Sequence, residues 1–197
     1  MAVTRAVYRD RTELFRRLFP RDGVVVEIGS QRGVSARAIV HACQPRLLVL
    51  VDPWRKIGGA YENDPADRPT RTREEEMRVC AARVGCMSNV AMLRCLSHEA
   101  NALFADGSCD AVYLDGDHSY EGVAHDIEMW WPKVKSGGVL AGHDYTIALP
   151  WVGVMRAVDE WVVREGLDLQ VTESSQPRGG TEDKDGALFP SWAVVKP

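Results

Sequence analysis

Two short apolar runs, each stopping abruptly at carboxylate and imidazole groups, constrain this chain more than any other feature. One is Asp110-Ala-Val-Tyr-Leu-Asp115-Gly-Asp117-His118, and the other is Gly137-Gly138-Val-Leu-Ala-Gly142-His143-Asp144. An uninterrupted apolar run is the mark of a parallel strand covered on both faces. An open α/β sheet binds its ligands just outside the carboxyl ends of such strands. A third run, Val24-Val25-Val26-Glu27-Ile28, leads into the glycine-bearing turn Gly29-Ser30-Gln31-Arg32-Gly33. Together the three predict a cofactor pocket with an acid/base or metal site beside it.

Strand and helix signals alternate along the rest of the chain. The spacing of Leu14, Phe15 and Leu18 predicts a leading helix over residues 3–19, stopped by Pro20. Strand 23–28 then precedes helix 34–42, and strand 47–51 ends at Asp52-Pro53-Trp54. Helix 73–84, strand 90–95, helix 97–104 and strand 111–114 follow. Helix 120–131 carries Val123, Ile127, Trp130 and Trp131 on one face, and helix 152–164 repeats the spacing with Val154, Val158, Trp161 and Val162. These tryptophans read as core. Strand 138–141 lies between those two helices. Residues 167–172 and 192–195 read as two strands without an intervening helix, an antiparallel hairpin at one edge. The expected fold is a single α/β domain over residues 1–197, with a doubly wound, mostly parallel sheet and an antiparallel C-terminal hairpin. The Gly- and Pro-containing loop 55–70 is long enough to serve as a lid, and loop 173–186 is placed to border the cleft.

At 197 residues the chain suits one well-buried domain. Its net charge of −4, without a basic cluster, argues against nucleic acid or a membrane surface as partner. No apolar stretch approaches the roughly 18 residues that span a bilayer. Cys43, Cys80, Cys86, Cys95 and Cys109 show no zinc spacing and are odd in number, which points to reduced thiols and a cytoplasmic setting.

The turn after the first long strand departs from the G-x-G-x-x-G spacing of dinucleotide folds. Glu27 stands just before it and would repel a pyrophosphate, whereas an ammonium or sulfonium group would welcome it. Asp52 lies about twenty residues on, where an acidic side chain can accept hydrogen bonds from both ribose hydroxyls. A zwitterionic nucleoside is therefore favoured over NAD. The alternative for the turn is a plain tight βα connection, and for Asp52 a turn cap.

With these motifs in order, the chain resembles class I S-adenosylmethionine-dependent methyltransferases, which have a Rossmann-like sheet. Within them it is similar to the small-molecule O-methyltransferases written Glu-Ile-Gly-x-x-x-Gly-x-Ser, Val-Asp-Pro-Trp, Leu-Asp-Gly-Asp-His-Ser-Tyr-Glu and Gly-Gly-x-x-x-Gly-His-Asp-Tyr, over roughly residues 22–146. That resemblance implies that Glu27, Gly29, Ser30 and Gly33 surround the methionine part of S-adenosylmethionine. It also implies that Asp52 holds the ribose, that Trp54 lies near the adenine, and that Ser97 approaches the adenine or ribose. Ser97 could instead be the N-cap of its helix.

Methyl transfer to oxygen needs a polarised or deprotonated hydroxyl in line with the sulfonium methyl. Asp115 and Asp144 end neighbouring strands and could hold a divalent cation such as Mg²⁺ or Mn²⁺. Metal-dependent catechol-type enzymes resemble this layout, but place an Asp-Asn pair where this chain has His143-Asp144. The nitrogen of His143 as third ligand would shift preference towards Mn²⁺, Fe²⁺ or Zn²⁺. The other reading has no metal, with Asp115 contacting cofactor or substrate. His118, where the catechol-type group has a basic lysine, is the expected general base; a helix-start role is the alternative, and His143 is the second candidate base. His41, His98 and His125 fall outside every motif and read as surface or packing residues. The expected activity is O-methylation of a hydroxylated small molecule, a sugar or an aromatic natural product, with assembly into a homo-oligomer left open. The alternatives are a related metal-using, hydroxylase-like tailoring enzyme and a non-catalytic S-adenosylmethionine-binding protein.

Overall fold

The computed structural model of the protein describes residues 5–55, 72–147, 152–173 and 189–197, with side chains from Tyr8 onward. The lid loop proposed over residues 55–70 and the cleft-bordering loop over 173–186 lie almost wholly outside these residues.

Eight strands form one sheet among the described residues: β1 (Arg5–Tyr8), β2 (Val24–Ile28), β3 (Leu47–Val51), β4 (Val90–Leu93), β5 (Cys109–Leu114), β6 (Val134–Gly142), β7 (Leu169–Thr172) and β8 (Trp192–Val195). Their order is β1-β7-β8-β6-β5-β2-β3-β4. Only β8 runs against its neighbours, β6 and β7. The helices are α1 (Arg11–Leu18), α2 (Val34–Cys43), α3 (Arg73–Val84), α4 (Ser97–Asn101), α5 (Tyr120–Trp130) and α6 (Val154–Glu165). This is the doubly wound, mostly parallel sheet expected from the alternation of elements.

Both faces of the sheet are covered, so its strands are apolar throughout. Leu14, Phe15, Ile39 and Cys80 from α1–α3 pack on Val25, Leu50 and Tyr113 on one face. Ile127, Trp130, Val158 and Trp161 from α5 and α6 pack on Val26, Ile28, Val112 and Leu114 on the other. Because side chains alternate along a strand, Glu27 shares the α1–α2 face with Val25. Trp130 and Trp161 are buried as expected, whereas Trp131 is only partly buried against that core; Trp161 stacks edge-on between Trp131 and the buried Trp192. All five cysteines are free; burial pushes the Cys80 thiol up to about 12, which leaves it inert. No helix among the described residues is long and apolar enough to cross a membrane.

The predicted helix over 3–19 is a strand followed by a shorter helix. Residues 5–8 pair in parallel with β7, where Tyr8 donates its hydroxyl to Gln170 (2.5 Å). Asp10 then starts α1 by accepting the Glu13 N–H (2.9 Å). The helical spacing of Leu14, Phe15 and Leu18 is genuine but begins only after this cap. β1 also changes the place of the C-terminal hairpin. β7 and β8 do pair antiparallel, yet β1 occupies the edge outside them and covers hydrogen-bonding groups of β7 that would otherwise face solvent. The strand expected over 138–141 runs from Val134 to Gly142, and the helix expected over 97–104 ends at Asn101.

Candidate active site

From β2 the chain moves outward through β3 to β4, then returns to β5 and β6 on the other side of β2. The crevice at such a reversal is where open α/β sheets place their ligands. A cavity of about 310 Å³ opens there, within the range of small-molecule sites. Asp52, Ser97, Asp115, His118 and Asp126 contribute to its wall.

The turn after β2 is shaped by close packing of the chain on itself. Gly29 has φ +86°, and a Cβ there would stand 2.0 Å from the Asp115 carbonyl oxygen. Its own N–H donates to the Val51 carbonyl (2.8 Å), so the turn is tied to both neighbouring strand ends. Gly33 (φ +71°) begins α2, where a Cβ would press on the Cys80 sulfur at 2.9 Å. Gly29 lines the cavity and Gly33 does not. Glycine is thus required at both positions with or without a ligand.

Glu27 is completely buried, and neither carboxylate oxygen has a hydrogen-bond partner among the described residues. Burial pushes its pKa up to about 8, against the opposing effects of the Ser30 hydroxyl and the Arg11 charge. The Ser30 hydroxyl is also buried and unpartnered among the described residues. Native proteins rarely leave such groups unmatched, and each one calls for an explanation such as a ligand or a water.

Asp52 ends β3 at the cavity wall. One of its oxygens accepts the Gln31 N–H (2.9 Å) and the other the Trp54 N–H (2.7 Å), and each keeps a lone pair for a ligand. Burial raises its pKa despite these two bonds. Trp54, expected beside the adenine, is instead a core residue: it is 1% exposed, packs among the residues under α1 and α2, and donates its indole N–H to the Gln31 carbonyl (2.8 Å).

Ser97 lines the cavity but is not the N-cap of α4. Leu96 holds that position, its N–H bound by the Glu99 carboxylate (2.8 Å). The Ser97 hydroxyl donates to Asp126 (2.6 Å) and accepts from the Trp130 indole (2.9 Å). Its proton is therefore committed. Asp126, which belongs to no sequence motif, is pushed up to about 6 by burial, partly offset by this hydrogen bond. His98 and His125, read from the sequence as surface or packing residues, also line the cavity.

Four ionisable groups converge where β5 and β6 end. His118 Nε2 lies 2.9 Å from Asp144 Oδ2 and 3.6 Å from Asp115 Oδ1. His143 Nδ1 lies 3.2 Å from Asp144 Oδ1 and 3.7 Å from Asp115 Oδ1. One ligand atom each from Asp115, His118 and Asp144 falls within 4.8 Å of the others, so His118 rather than His143 completes the tightest candidate cation site among the described residues. Asp144 would be raised by burial, but hydrogen bonds and charge from His118 and His143 hold its carboxyl well below the usual carboxylate range. Burial alone would lower His143; Asp115 and Asp144 reverse this and raise it. Asp144 has φ +53°, an uncommon conformation for a residue with a Cβ and one that recurs at functional sites.

Asp117 is a helix-start residue. Its carboxylate accepts the Ser119 N–H (2.8 Å), and Ser119 in turn caps α5 through the Gly122 N–H (3.1 Å). His118 is held by its backbone, whose carbonyl accepts the Gly153 N–H (2.7 Å).

Asp126 is the cavity residue that motifs missed, and Arg11 is a buried charge that they also passed over. Arg11 is 6% exposed, on the face of α1 shared by Leu14 and Phe15, and donates to the Ser35 hydroxyl (3.2 Å). An arginine in register with an apolar helix face was the signal available in the sequence.

Residues 26–145 match a family described as a methyltransferase domain. A comparison with curated protein sequences found no match. Among solved structures, a tRNA (m1A58) methyltransferase from Aquifex aeolicus is similar at 13% identity and a TM-score of 0.63, covering 100% of this chain and 72% of that one. A precorrin-6y C5,15-methyltransferase from Geobacter metallireducens gives 15% identity and a TM-score of 0.62, with 95% and 85% covered. A protein from Corynebacterium glutamicum gives 17% identity and a TM-score of 0.61, with 94% and 80% covered. At these identities the structures speak for the fold alone.

Proposed function

The chain belongs to the methyltransferase domain family, and from that premise we propose that it transfers a methyl group from S-adenosylmethionine to a hydroxyl of a small molecule, a sugar or an aromatic natural product. One observation carries the reading. Asp115 and His118 belong at once to the cavity wall and to the carboxylate–imidazole cluster, so a nucleoside in the cavity would put its reactive end against acid/base groups. The net charge of −4 speaks for a small acceptor over an RNA.

Asp52 offers a lone pair on each oxygen to the ribose hydroxyls. Glu27 and Ser30 offer unmatched polar atoms to the methionine end. The chemistry S-adenosylmethionine supplies when bound is an electrophilic sulfonium methyl. The acceptor hydroxyl must lie in line with it and lose a proton. His118, whose Nε2 faces the two carboxylates, is the imidazole placed to take that proton. Asp144 beside Nε2 then stabilises the imidazolium.

The donor set also fits a divalent cation. Asp115, Asp144 and His118 Nε2 would hold it, and it would lower the pKa of the acceptor hydroxyl. In this arrangement His143 is the neighbour of the carboxylates rather than the third ligand. Exhaustive chelation should then abolish turnover, and Mn²⁺ or Mg²⁺ should restore it. Full turnover by metal-free protein would remove the cation from the mechanism and leave His118 with Asp144 as the acid/base pair.

A further inference from the structure

Four buried polar groups gather on the α1–α2 face of the sheet, behind the turn that follows β2. Glu27 and Ser30 have side-chain oxygens without hydrogen-bond partners among the described residues. Arg11, in the first turn of α1, is as buried as they are and reaches Ser35, in the first turn of α2 (3.2 Å). Through this bond Arg11 and the first turn of α2 lie on the face of the sheet that buries Glu27, and the Arg11 charge is among the effects that oppose the rise in the Glu27 pKa. α2, which begins beside these groups, is ten residues long and has no side-chain cap for its first N–H groups.

A carboxyl group that an ammonium would ionise, a guanidinium and a hydroxyl beside an uncapped helix start are the complement of an amino-acid zwitterion. Glu27 suits the ammonium. A carboxylate would need a cation, and Arg11 presents the fork geometry that carboxylates prefer. A plain Glu27–Arg11 ion pair would account for the charges but not for two carboxylate oxygens left without hydrogen bonds in a site closed to solvent.

We propose that Arg11, braced by Ser35, binds the carboxylate of the cofactor's methionine end, so that α1 forms part of the cofactor site. This rests on the S-adenosylmethionine reading given above. It explains why an arginine occupies the apolar face of α1, between the cap at Asp10 and the core residues Leu14 and Phe15.

The test is calorimetric binding of three ligands to the full chain: S-adenosylhomocysteine, its analogue lacking only the carboxylate, and 5′-methylthioadenosine, which lacks the whole amino-acid part. The parent should bind S-adenosylhomocysteine ~10–100-fold more tightly than the decarboxylated analogue, the size of a charge-assisted pair. Arg11→Gln should lose a similar factor for S-adenosylhomocysteine while binding the other two ligands within about twofold of the parent. A parent that holds the decarboxylated analogue as tightly as S-adenosylhomocysteine overturns the proposal without any variant. Equal weakening of all three ligands by Arg11→Gln also overturns it, since a merely structural arginine would act that way. If Arg11→Gln does not fold, Arg11→Lys keeps the charge without the fork and should show a smaller loss confined to S-adenosylhomocysteine; a loss shared with methylthioadenosine refutes the clamp. A parent that binds methylthioadenosine but ignores the carboxylate fails only this inference, whereas one that binds none of the three fails the cofactor reading itself.

Discussion

Replacing Glu27 by glutamine should stabilise the ligand-free protein, and by more as the pH rises. Glu27 is fully buried on β2, and burial lifts its pKa from 4.5 to about 8. Below pH 4.5 the folded and unfolded chains both carry the proton, so the group is neutral to stability. Between pH 4.5 and 8 the unfolded chain releases it while the folded chain keeps it. Stability therefore falls as pH rises through that window and levels off above it. At about 1.4 kcal/mol per pH unit, the penalty is roughly 1 kcal/mol at pH 5 and about 4 kcal/mol at pH 7.5. Glutamine has the same shape and never ionises, so Glu27→Gln should gain about 3 kcal/mol on the parent between those two pH values. Urea unfolding of both proteins at pH 5 and pH 7.5 reads this directly, and the shared titrations of other groups cancel. A difference that is the same at both pH values would mean that Glu27 is ionised or hydrated in the folded state, and the reasoning would fall. The gain should come with a loss: the variant should bind S-adenosylhomocysteine more weakly, because an amide cannot neutralise an ammonium.

Three further outcomes are expected. Asp52→Ala should weaken S-adenosylhomocysteine binding by about 1–3 kcal/mol in calorimetry, and unchanged affinity would remove the ribose from Asp52. His118→Ala should cut turnover ~10²–10⁴-fold with cofactor affinity and melting temperature nearly intact; a folded variant working at the parent rate would shift the base to His143. Gly29→Ala should cost about 3–5 kcal/mol in urea unfolding, because the new Cβ meets the Asp115 carbonyl oxygen in a positive-φ turn; a loss under about 1 kcal/mol would show that the turn can move.

Where chemistry sits at a strand end, it could be read from the residues, because a buried parallel strand leaves polar side chains nowhere else to go. That is why Asp52, Asp115 and His118 all line the cavity and Asp144 joins the last two in one cluster. Which imidazole approaches which carboxylate could not be read. It depends on the left-handed backbone of Asp144 and on the bond from Gly153 to the His118 carbonyl, and neither leaves a mark in the sequence. Trp54 was misplaced for a related reason: it also adopts a positive φ (39°), which turns its ring into the core. β1 is four residues long and borrows its pairing from β7, about 165 positions away, so no local pattern reveals it. Arg11 was visible as a charge on an apolar helix face, but its partner Ser35 lies 24 residues on and is revealed only by the packing of α1 on α2.

The most direct test is transfer of label from methyl-labelled S-adenosylmethionine to a panel of phenols, glycosides, polyols, unmodified tRNA and a tetrapyrrole, with the label's bonding atom identified by mass spectrometry and NMR. The account predicts label on the oxygen of a hydroxylated small molecule, dependent on Asp52 and His118. Label on a tRNA nitrogen or a tetrapyrrole carbon, with none on a hydroxyl oxygen, would contradict it.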